Sequence, residues 1–172
     1  CVDSIRFLNR EEASRRYLLK GRIDCTDALS YVLSKPHKAL VVEHSMEGLS
    51  WLCKEEGVTS RLIHLGVLNA VIKLSMSVRP TNVNVLSSCA HMAHRMAGDH
   101  VCSQVMTGRA HDVAGAMLRI IKVCDDNEAV ANASMALDTP PIIQGRKRWA
   151  MGAPCSAGNL TSNAVTDQAK NN

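Results

Sequence analysis

Ser45, Cys89 and Ala133 stand 44 residues apart, each inside a long stretch of helical apolar spacing. Four residues beyond them come Leu49, Ala93 and Leu137; seven beyond come Leu52 and Met96, and Pro140 in the third copy. A small residue followed by apolar ones at such spacing marks one face of a helix. Its return at a constant step means that one helical unit is being reused. The composition agrees. Only 3% of the 172 residues are aromatic, against 46% hydrophobic overall. β sandwiches and barrels lean on aromatic and β-branched side chains, and base-stacking nucleic-acid platforms need several aromatics together, so both are excluded.

Periodicity predicts helix almost throughout residues 3–139. The pattern starts with Ile5, Leu8, Tyr17 and Leu18 and breaks at Gly21. It resumes over 23–34 and ends at Lys35-Pro36. A longer helix carries Leu40, Val41, Ser45, Leu49 and Leu52, and Gly57 closes it, with Thr59 or Ser60 as the next cap. Then follow a short segment at Leu62–Leu65, a helix over Val67–Met76, and a long one from Pro80-Thr81 through Met96. After Gly98 the rhythm repeats over His100–Met106, Asp112–Val123 and Asn127–Leu137. Gly21, Gly66 and Gly108 precede the medium helices. The predicted architecture is all-α: an α-solenoid of about three units, approximately 10–57, 58–98 and 99–139. A generic helical bundle is the competing arrangement.

Glycine, then an apolar helix, then a long helix with small-x-x-x-apolar-x-x-apolar spacing resembles the armadillo repeat family. Gly66-Val67-Leu68-Asn69-Ala70-Val71-Ile72-Lys73-Leu74 is the clearest second-helix match. Ser45-Met46-Glu47-Gly48-Leu49-Ser50-Trp51-Leu52 and Val85–Met96 match the third helix. A narrower stretch, Val41 through Leu74 with Lys54-Glu55-Glu56-Gly57 at its acidic turn, resembles the UCS-type myosin chaperones. These resemblances imply a concave groove lined by the long helices. Its outward positions, two and six residues after each small anchor, are Glu47, His91 and Met135, then Trp51, Arg95 and Thr139. The Trp and Asn ladder of import-receptor-like armadillo proteins is missing. Glu47, Trp51, His91 and Arg95 are therefore the expected partner surface, Trp and Arg being favoured anchors. The alternative for Trp51 is burial between repeats.

Cys89, His91, His94, His100 and Cys102 offer zinc-type donors within a short span. Helical geometry places Cys89 on the packing face, so core cysteines with solvated histidines are expected and no metal or cofactor is assigned. No nucleophile–base set and no phosphate cradle stands out, so the chain reads as a non-enzymatic protein. Asp125-Asp126 looks like a helix cap.

The seven cysteines are scattered, without Cys-x-x-Cys pairs, which points to a reducing, cytoplasmic setting. Asn132-Ala133-Ser134 and Asn159-Leu160-Thr161 are glycosylation-type triplets, here read as chance. No apolar run is long enough to span a membrane. Cys1 is not a Met and no signal segment follows it, as expected of a processed product or a fragment. The net charge of +4 is mild, so nucleic acid is not the expected partner. From 140 to 172 the composition predicts an irregular, flexible tail. Arg146, Lys147, Arg148 and Trp149 are its candidate docking residues, facing an acidic surface; a solvated charge run is the plainer reading.

The expected function is a protein-binding scaffold or adaptor, or a client-binding segment of a chaperone for myosin-like motors. Its rivals are a permanent subunit of a large assembly and a His/Cys metal-binding domain.

Overall fold

A computed structural model describes residues 2–20, 25–140, 142–144 and 147 of the chain. The described residues are all-helical, with no strand among them. The elements are α1 (Val2–Leu8), α2 (Glu12–Lys20), α3 (Cys25–Leu33), α4 (Ala39–Leu52), α5 (Val58–His64), α6 (Val67–Ser77), α7 (Val83–Ala97), α8 (His100–Gly108), α9 (Ala110–Val123) and α10 (Asn127–Leu137).

Local chemistry explains most of the boundaries. Asp99 accepts the Cys102 N–H at 3.0 Å and starts α8; Asp126 accepts the Ala129 N–H at 2.7 Å and starts α10. Each satisfies an amide that the first turn leaves without an intrahelical partner. Gly57 and Gly66 have φ of 77° and 75°, so the chain enters α5 and α6 through the left-handed region, which glycine adopts without steric cost. Gly57 thus begins α5 at Val58, and neither Thr59 nor Ser60 caps it; Thr59 is buried. The junction from α8 to α9 is made at Arg109, with φ of −115°, immediately after Gly108.

The long helices pack in series. α4 packs against both α1 and α7, and α7 packs against both α4 and α10. The medium helices α3, α6 and α9 contact the long helix that follows each in the chain, and α6 also packs on α3 and α9. Ser45, Cys89 and Ala133, the 44-residue anchors, are all fully buried. The Ser45 hydroxyl donates to the Val41 carbonyl at 2.8 Å, which removes its desolvation penalty. Small residues on both sides, Ala90, Ala93 and Ala97 of α7 and Ala129, Ala133 and Ala136 of α10, let these two helices approach closely. Leucine and methionine fill the remaining space: Met46, Leu49, Leu52, Leu86, Met92, Met96, Met106 and Met117 are fully buried. At about 25 cal/mol per Å² of apolar surface, each stabilises the fold by roughly 2–3 kcal/mol. None of the aromatic side chains among the described residues is in this core: Phe7, Tyr17 and Tyr31 are exposed and Trp51 is half-buried.

Pro140 and residues 142–144 are helical, and Ile142 is fully buried. Helix thus extends to these residues of the expected irregular tail, anchored by Ile142; apart from Lys147, residues 145–172 lie outside the described residues.

Candidate partner-binding groove

The predicted surface residues come from two long helices. Glu47 and Trp51 lie one turn apart on α4, and His91 and Arg95 lie one turn apart on α7. The structure brings all four to one side of the α4–α7–α10 row, where two clefts meet at His91. The first, of about 350 Å³, is walled by Glu43, Glu47 and Trp51 of α4, Ser88 and His91 of α7, and Glu128 of α10. The second, of about 590 Å³, is walled by His91, His94 and Arg95 of α7, with Met135 of α10 and, beyond it, Thr139.

Glu43, Glu47, His91 and Arg95 are held by hydrogen bonds. Glu47 accepts from Arg6 Nη1 at 3.0 Å and from Arg10 Nη2 at 2.9 Å, which ties α1 and the turn after it to α4. Burial pushes this carboxyl upward, but the hydrogen bonds and charges of Arg10 and Arg6 outweigh it and hold it below the usual carboxylate range. His91 Nε2 accepts from Arg95 Nε at 3.0 Å, so its remaining proton sits on Nδ1. Burial first, then the charges of Arg95 and His94, lower the His91 pKa and favour the neutral ring. Trp51 presents one ring face to the Lys54 ammonium, 3.9 Å from the ring centroid. Asn84 Nδ2 donates to Glu43 Oε2 at 3.3 Å across the α4–α7 rim.

Glu43, Ser87 and Glu128 were not singled out from the sequence. Glu43 and Ser87 precede Glu47 and His91 by one helical turn, so carrying the outward row one turn toward each helix start reaches them. Glu128 had no such local signal.

The donors of the His/Cys set are dispersed. Cys89 and Cys102 are fully buried, Cys102 Sγ donates to the Thr59 carbonyl at 3.3 Å, and His100 is exposed on α8. Among the described residues no three His, Cys, Asp or Glu are grouped to hold a metal ion. Burial pushes the thiols of Cys53, Cys89 and Cys102 up to about 12, so each is a neutral thiol near pH 7 and a poor nucleophile. Of the proposed tail-docking residues, Lys147 is exposed, and Arg146, Arg148 and Trp149 lie outside the described residues. No helix among the described residues is long and apolar enough to cross a membrane.

Neither a protein-family model nor a curated protein sequence matches the chain, so the case for its function rests on this geometry.

Proposed function

We propose that the chain is an armadillo-type α-solenoid segment, a scaffold that binds another polypeptide along the face of α4, α7 and α10. A chaperone segment of UCS type, acting on a myosin-like motor, is the specific form of this reading. One observation carries it: residues two and six positions after the 44-residue anchors line two clefts that share His91. The serial packing of α1, α4, α7 and α10 supports the solenoid, because stacked units contact their neighbours in just this order. The half-buried Trp51 supports binding, since an amphipathic ring in the wall of a cleft is a favoured anchor.

The test is protection of a purified myosin motor domain from heat-induced aggregation, followed by light scattering. Wild-type chain suppresses the scattering, whereas Trp51→Ala and Arg95→Glu lose most of the effect with unchanged helical circular dichroism. Equal protection by both variants removes the groove from the function.

A permanently assembled subunit is the second reading. It draws on Phe7 and Tyr17, which are 68% and 79% exposed on α1 and α2. A chain that sediments as a stable monomer at micromolar concentration speaks against it.

A further inference from the structure

We propose that Arg95, at the larger cleft, and Lys54, which rests on the Trp51 ring of the smaller one, form an anion subsite, and that its occupant is a carboxylate side chain of an acidic peptide segment. The inference rests on the groove being the binding face and adds the chemistry it selects.

Charge is distributed unevenly along the groove. Glu43, Glu47 and Glu128 line the smaller cleft, toward the start of the long helices, while His94 and Arg95 line the larger cleft toward their ends. Glu47 is already neutralised by Arg6 and Arg10. The cations have no such compensation. Arg95 uses Nε on His91, which fixes the guanidinium plane and leaves both terminal nitrogens to form a fork toward an acceptor. Lys54 rests on the Trp51 ring, and among the described residues neither Lys54 nor Arg95 has an ion-pair partner. Asp99, four residues after Arg95, accepts the Cys102 N–H through Oδ1 at the start of α8, and among the described residues it makes no ion pair with either cation. Arg15 adds positive charge near Lys54, although its own guanidinium is paired with Glu55 at 2.8 Å. Burial first, then the charges of Arg95 and Arg15, lower the Lys54 pKa. Two guanidinium nitrogens and an ammonium are the complement of a carboxylate, and His94, which lines the same cleft as Arg95, lies where occupancy of that cleft is read out.

The full chain, labelled with ¹⁵N, is titrated by NMR with hexaglutamate, hexalysine and inorganic phosphate at physiological salt. Hexaglutamate is expected to shift the Lys54, His94 and Arg95 signals saturably, and hexalysine to leave them in place. The Lys54→Gln/Arg95→Gln double variant should weaken hexaglutamate about tenfold or more, with the remaining spectrum unchanged. Shifts spread over remote cations such as Lys73 and Lys122, or affinity unchanged in the double variant, overturn the subsite. Equal affinity for phosphate overturns the peptide assignment and leaves a free-anion site. The two levels separate through Trp51→Ala. If that variant loses client protection while hexaglutamate leaves the wild-type signals still, only the subsite falls. If hexaglutamate binds but Trp51→Ala protects as well as wild type, the groove reading falls and the subsite stands.

Discussion

Gly48 shows how closely the first helix lies on α4. A Cβ built there meets Leu29 Cδ1 at 3.1 Å, Asn9 Nδ2 at 3.5 Å and the Arg6 Cα at 3.8 Å. An alanine displaces one flexible leucine tip and gains helix propensity, so its two effects oppose each other. A valine adds branches toward the Arg6 backbone, which cannot yield as easily. Gly48→Val is therefore expected to destabilise the fold by about 1–3 kcal/mol in urea unfolding, and Gly48→Ala by clearly less. Arg15 is the other residue of note. It is almost fully buried, pairs with Glu55 at 2.8 Å and donates to the carbonyls of Asn9 and Arg10 at 3.1 Å. Arg15→Ala leaves two carbonyls and most of a carboxylate unpaired. Because Arg16 still lies 3.5 Å from Glu55, the expected loss is about 2–3 kcal/mol, below that of a fully isolated buried pair. Nothing local in the charged run from Arg10 to Arg16 distinguishes the one buried arginine, because its partner is 40 residues away.

His91 sets a pH dependence at the same scale. Its folded pKa lies below the usual histidine value, so between the two values the unfolded chain binds the proton first. Its stabilising contribution is complete above about pH 6.5 and declines as the pH falls through the folded value. Urea midpoints at pH 7.5 and 5.5 check this: wild type loses stability on acidification, and His91→Gln, whose amide oxygen can still accept from Arg95, loses less. Glu47 follows the same sign in a lower window, because its folded pKa lies below the usual carboxylate range.

Among the elements, the helix ends are where one side chain acts on a whole segment. Arg119 of α9 donates to the Ser75 carbonyl and, at 2.8 Å, to the Val78 carbonyl, closing the last turn of α6. Asp126 holds the first turn of α10. Asp126→Ala should cost about 1 kcal/mol, with hydrogen exchange quickening first at the start of α10 rather than in α7. The sequence made the long helices readable because small and apolar residues alternate on one face over three turns or more. α5 was read too short, since Val58 and Thr59 are buried by neighbouring helices and not by a periodic stripe of their own. The separation of α1 from α2 at Asn9-Arg10-Glu11 left no signal either, as this turn contains neither Gly nor Pro. Local backbone hydrogen bonds close it, from Arg10 N–H to the Phe7 carbonyl and from Glu11 N–H to the Leu8 carbonyl, and the Arg15 side chain adds bonds to the carbonyls of Asn9 and Arg10. The groove was legible to the same extent as the helices: the outward row of α4 and α7 follows from periodicity. Lys54 and His94 stand out in the sequence only as part of an acidic turn and of a set of zinc-type donors, because their place beside the clefts depends on how α4 and α7 pack.

At the scale of the whole molecule, the row of long helices forms a spine whose closest seam, between α7 and α10, is lined by alanine. Enlarging Ala93 or Ala133 pushes two helices apart together, rather than shifting a single rotamer. Ala93→Leu is expected to lower the thermal midpoint by several degrees, corresponding to about 1–3 kcal/mol of overpacking, and to weaken α7 and α10 alike in hydrogen exchange. The scarcity of aromatic residues also gives the molecule an optical asymmetry. Its aliphatic and sulfur-rich interior absorbs little in the near ultraviolet, while Trp51 lines the cleft between α4 and α7. In a Trp149→Phe background, tryptophan emission becomes a built-in label for occupancy of that cleft.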